Sequence, residues 1–143
     1  MNASPPSDGP LDARQHRQDA VGGRPAVPPV SAAAARDRVR ELLLLAGVGL
    51  DGVVAADALL VTSELVTNAI RHGDGVVAFR AAVEDGVLRL SVSDASPRLP
   101  AARTGTPDRP GGYGWPLVQR LAEHVDCRAR PGGKDITATL RLG

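Results

Sequence analysis

The stretch Ser63-Glu64-Leu65-Val66-Thr67-Asn68-Ala69-Ile70-Arg71-His72-Gly73 constrains this chain more than any other. It sets Glu64, Asn68 and His72 at i, i+4 and i+8, which a helix lines up along one narrow polar stripe. Leu65, Val66, Ala69 and Ile70 supply an apolar face beside it. Asparagine is a poor mid-helix residue because its amide competes for the backbone. The chain also nearly avoids asparagine, the other one being Asn2. An asparagine placed against both habits points to a ligand. An acid and an amide one turn apart can hold a hydrated magnesium ion and act as a base beside it.

At 143 residues the chain is long enough for one domain with a real core. The formal net charge is +1, so no electrostatic footprint for nucleic acid is visible. Lys134 is the only lysine among 17 basic residues. Cys127 is the only cysteine, which excludes a disulfide framework and a thiolate metal cluster. It reads as a small half-buried strand residue. The apolar run Leu42 to Leu50 is too short to span a membrane, and no secretory signal pattern opens the chain. The expectation is a cytoplasmic protein without membrane contact.

Residues 1–30 are rich in proline and glycine and poor in large apolar residues, the composition of a disordered tail. Residues 31–143 form the folded part. Ser31 can cap a first helix from Ala32 to Ala46, ended by Gly47. Asp51 can cap a second, over residues 52–71, which carries the Glu64 stripe. Val76 to Glu84 and Val87 to Ser93 read as strands joined by Asp85-Gly86, the strongest short hairpin signal. Residues 95–112, with four prolines and three glycines, form a long loop of the kind that serves as a functional lid. A third helix runs from Trp115 to Val125 and places His124 on it, in a structural or exposed role. Strands over 126–130 and 135–142 follow, joined by Pro131-Gly132-Gly133-Lys134, with Lys134 a solvated turn residue. This order of elements predicts an α/β two-layer sandwich, with helices on one face of a mixed β-sheet.

The Glu64 stripe resembles the N-box of the histidine-kinase-like ATPase (GHKL) superfamily. Its wording is most similar to the small stand-alone actinobacterial anti-sigma-factor serine kinases. Three further motifs follow in the family's order. Asp94-Ala95-Ser96-Pro97 resembles the G1 box, although Ser96 and Arg98 stand where glycines are expected. Gly111-Gly112-Tyr113-Gly114-Trp115 resembles the G2 box, in which glycines at a helix start let backbone N–H groups approach phosphates. The strand bearing Thr137 and Thr139 resembles the last box. The resemblance covers residues 31–142 and implies the ATP-binding sandwich of the Bergerat type.

By this resemblance Asn68 holds Mg²⁺ at the phosphates of ATP, and Glu64 is the general base. Asp94 accepts a hydrogen bond from the adenine amino group, and Thr137 holds adenine directly or through water. Gly112 and Gly114 free the backbone around the phosphates, and His72 contacts a phosphate or the lid. Trp115 walls the pocket or packs in the core. The implied function is an ATP-binding regulator that phosphorylates a serine or threonine on an antagonist protein. It would also bind a sigma factor or similar regulator, with a homodimer possible. The alternatives are a non-catalytic ATP-dependent binding module and a histidine kinase catalytic domain. Against the last, the first helix contains no histidine.

Overall fold

Ser31 opens the first helix as its position predicts, its hydroxyl accepting from the Ala34 N–H at 3.1 Å. The computed structural model describes residues 31–99 and 114–143. The expected tail, residues 1–30, and most of the expected lid, including Gly112, lie outside the described residues. Helix α1 covers Ala32–Leu45. Its end follows the Schellman pattern: Gly47, at φ +80, donates to the Leu44 carbonyl, and Val48 donates to that of Leu43.

Helix α2 spans Val53–His72. Its N-cap is Gly52, with no side-chain cap, so Asp51 does not take that role. Glycine costs only a few tenths of a kcal/mol relative to a side-chain cap, so the helix tolerates this start. By length and composition α2 passes for a membrane span. In the fold it is a core helix: Ala55, Ala58, Val61, Leu65, Val66 and Ala69 are buried. Arg36 ties α1 to α2 by donating to the Ser63 hydroxyl at 2.9 Å, one residue before Glu64.

Strands β1 (Val76–Glu84) and β2 (Val87–Asp94) form the expected hairpin. Asp85 and Gly86 both have positive φ, as the two-residue turn requires. A short helix α3 (Gly114–Leu121) precedes strands β3 (His124–Arg130) and β4 (Gly133–Arg141). The sheet order is β1-β2-β4-β3. Every pairing among the described residues is antiparallel, whereas a mixed sheet was expected. Both flanking pairs are hairpins, and the central β2–β4 contact closes antiparallel too, so no parallel crossover is needed.

The helices lie on one face of the sheet. Phe79, Ala81, Leu88, Leu90, Val92, Ile136, Ala138 and Leu140 point into the shared core with Val39, Leu43 and Val118. The other sheet face carries Arg80, Arg89, Ser91, Ser93, Thr137 and Thr139. Helix α3 ends four residues earlier than expected, and His124 belongs to β3 rather than to a helix. The ladder outweighs one more helical turn: Glu123 N–H donates to Thr139 at 2.8 Å, and Val125 pairs with Ala138 on β4.

Leu90 is completely buried at the middle of the central strand pair. Leu90→Ala should cost about 2–5 kcal/mol, from lost transfer energy plus the cavity left behind. Urea unfolding should show this as a lower midpoint at an unchanged slope.

Candidate functional site

The period of α2 divides its side chains between two tasks. The face with Leu65, Val66 and Ala69 is in the core, and the stripe Glu64-Asn68-His72 faces a narrow cleft. Across the cleft stand Gly114, Trp115 and Val118 of α3. Trp115 takes both roles considered for it: it lines the cleft and packs, half-buried, against the core. His72 and its neighbour Arg71, both exposed, line the same cleft.

Two features of the cleft are costly unless they serve a ligand. The first is Asn68, whose Nδ2 is buried without a hydrogen-bond partner among the described residues. A buried polar group left unpaired costs about 1–3 kcal/mol. Native proteins keep few of them, and those few call for a reason. The second is Gly114. A Cβ added there would overlap the Glu64 carboxylate. Only glycine lets the first turn of α3 come this close to the acid. Glu64 therefore sits at the start of a helix, where the dipole favours negative charge.

Asp94 ends β2 and is almost completely buried, with a relative exposure of 1%. Its Oδ1 accepts from the Ser96 N–H at 3.0 Å, so it does initiate the turn before Pro97. Its carboxylate also packs on the backbone just past α2, since a Cβ at Gly73 would overlap it. Ala95 N–H donates to the Gly73 carbonyl at 2.9 Å and clamps the two segments together. Asp94 thus adjoins the end of the stripe that carries His72.

Two expectations on β4 need correction. Lys134 is not a solvated turn residue: it is 1% exposed, and its Nζ lies 2.7 Å from Asp94 Oδ2. The register places Lys134 directly opposite Asp94. Its parity matches that of Ile136, Ala138 and Leu140, all buried, so it points to the helix side. That parity was the signal available in the sequence. Thr137 has the opposite parity and lies on the outer sheet face with Ser91, His124 and Asp126, away from the cleft. It faces away from Ile136 and Ala138, as expected, but the cleft lies on the Ile136 side. Asp135 also points outward; the Ser93 hydroxyl and the Arg130 guanidinium hold its carboxyl below the usual range. Burial pushes the half-buried Cys127 thiol up.

Glu64, Asn68, His72, Gly114 and Trp115 therefore meet in one cleft, with Asp94 next to its end. The profile of the histidine kinase-like ATPase domain matches residues 26–140. The chain belongs to that family. Comparison with curated protein sequences gives no match. Among solved structures, the chain is similar to the Erythrobacter litoralis EL346 blue-light activated histidine kinase. That match has 25% identity and a TM-score of 0.48, over 66% of this chain and 32% of that one. The histidine kinase domain of the same protein matches at 20% identity and a TM-score of 0.48, over 90% of this chain and 70% of that one. The chain thus spans about a third of the length of the larger of these two kinase chains.

As a histidine kinase-like ATPase domain, the chain is an ATP-binding domain. The cleft suits the metal and phosphate contacts of a nucleotide on two counts, the orphaned amide of Asn68 and the glycine-only approach at Gly114. The described residues contain no cluster of three or more His, Cys, Asp or Glu side chains for a metal. Magnesium suits such a site, because it is commonly held by one or two protein groups together with substrate phosphates.

Asn68→Ala should keep the fold and weaken Mg-ATP binding at least about tenfold, or about 1.4 kcal/mol. Thr137→Val, on the other sheet face, should leave affinity within about twofold. Calorimetry on the two variants checks both expectations.

Proposed function

We propose that this protein is a cytoplasmic ATP-dependent regulator of the anti-sigma type. It transfers a phosphoryl group to a serine or threonine of an antagonist protein and binds a sigma factor or similar regulator. The observation that carries this reading is the Glu64–Asn68 pair. An unpartnered amide and a carboxylate lie one helical turn apart in the cleft, with the carboxylate against the start of α3. The sequence wording of the stripe supports the anti-sigma subtype.

Bound Mg-ATP supplies the phosphoryl group and most of the charge to be neutralised. Asn68 would hold the metal, and the backbone at Gly114 can approach the phosphates without a side chain in the way. Glu64 takes the proton from the incoming hydroxyl. Such transfer depends mainly on positioning and electrostatic stabilisation, so this short set of groups suffices. Trp115 and Val118 limit water on the α3 side of the cleft. A second reading, a non-catalytic ATP-dependent binding module, draws support from the pairing of Asp94 with Lys134. A carboxylate already partly engaged inside the protein has its charge shared with Lys134, which weakens the hold on adenine, and weak or slow turnover is enough for a binding module.

Glu64→Gln separates the two readings. The amide keeps size and hydrogen bonding and removes basicity. Mg-ATP and partner binding should stay near normal, while transfer of labelled phosphate from ATP to an antagonist serine should slow by roughly 10²–10⁴-fold. Transfer at the wild-type rate would remove Glu64 as the base. A wild-type protein that binds its partner and labels no candidate antagonist would favour the binding module.

A further inference from the structure

Lys134 is the largest of the fully buried side chains among the described residues. Its ion pair with Asp94 is almost sealed, with side-chain exposures of 1% and 2%. Burying two charges carries a large desolvation penalty before their attraction is counted, and apolar residues of similar volume often do as well or better. Core packing alone therefore gives no reason for a lysine at this position. Its neighbours on the same side of β4, Ile136, Ala138 and Leu140, show the alternative. The pair lies instead where the family reading puts recognition of the nucleotide base.

The hydrogen-bond inventory of the pair is incomplete. An ammonium group has three N–H donors and a carboxylate about four acceptor positions. Among the described residues, Lys134 Nζ is engaged by Asp94 Oδ2 at 2.7 Å and the Ser96 carbonyl at 3.4 Å. Asp94 is engaged by Lys134 and the Ser96 N–H. One donor and two acceptor positions are left over. On the helix side the carboxylate packs directly on the Gly73 backbone, where a Cβ would overlap it.

A lone carboxylate at a base site accepts from a 6-amino group and repels a 6-oxo group, since both are acceptors. A carboxylate with an ammonium beside it presents an acceptor and a donor together. Adenine offers an amino donor next to a ring acceptor. Guanine and hypoxanthine offer a carbonyl acceptor next to a ring N–H donor. Both edges are complementary to the pair, in opposite senses.

We propose that Lys134 is a second base-reading residue, and that with Asp94 it lets the site take purine nucleotides carrying either a 6-amino or a 6-oxo group. The inference rests on the nucleotide-site reading above and adds a specificity to it. Lys134 supplies the donor for the 6-oxo oxygen, and Asp94 accepts from the ring N–H of that base or from the amino group of adenine.

The test is displacement of a fluorescent ATP analogue from the full chain in Mg²⁺ by ATP, ITP and GTP. In the wild type, ITP and GTP should bind within about tenfold of ATP. Lys134→Met keeps the length of the side chain and removes its donors. It should lower ITP and GTP affinity relative to ATP by at least about tenfold. Wild-type selection of ATP over both 6-oxo nucleotides by more than that factor overturns the inference, as does an unchanged ratio in the variant. The wild-type panel needs no substitution, so it decides alone if Lys134→Met does not fold. Binding of ATP only overturns this inference and leaves the nucleotide site standing. Binding of no nucleotide overturns both.

Discussion

Helix α2 has to serve two neighbours at once. Its apolar face seals the sheet, and its polar stripe lines the cleft. A 3.6-residue period permits this only if the two sets of residues stay in phase for the whole length of the helix. Val61, Leu65 and Ala69 run along one side while Glu64, Asn68 and His72 run along the other. Slipping the helix by one residue would bury the acid and expose the core. The position of every group in the site is therefore set by the same apolar packing that stabilises the fold. The strands supply the floor of that packing, and the end of β2 brings Asp94 to the end of α2.

The site carries its electrostatic load unevenly. Glu64 is favoured by the start of α3, while Asp94 is balanced by a buried lysine. Asn68 has neither device, and its Nδ2 is a buried polar atom with no hydrogen-bond partner among the described residues. Polar groups at a ligand site are often left incomplete in this way, because the ligand supplies the missing partner. The surface ion pairs, such as Arg141 with Glu123 and Arg128 with Asp126, are exposed and contribute little.

Much of the fold was legible because its signals are local. Ser31 before an apolar stripe, Gly47 after it and Asp85-Gly86 between two β-rich runs each act within a few residues. The stripe of α2 was legible for the same reason, since a helix converts spacing into direction without help from the rest of the chain. The failures came where pairing partners lie far apart in sequence. Whether residues 122–125 continue a helix or start a strand depends on what β4 offers beside them, and periodicity within the segment does not reveal that. Lys134 was missed because its charge was read as a surface signal, while its parity with Ile136 placed it inside. Thr137 was assigned the correct face relative to its neighbours and the wrong side relative to the cleft. Alternation separates two faces of a strand but does not say which one the helices cover.

The outer strands of the sheet also shape how the molecule can meet others. Among the described residues β1 and β3 are the edge strands, and an open sheet edge is a template for further strands. Here β1 opens with a register shift between Val76 and Ala78, which breaks the regular spacing of its free backbone groups. The other edge, β3, carries Asp126, Arg128 and Arg130, and its first residue, His124, is exposed. A strand arriving at β3 meets charges along the edge, and one arriving at the start of β1 meets irregular spacing over Val76–Ala78. Among the described strands, growth of the sheet from copy to copy is thus hindered along β3 and at the start of β1.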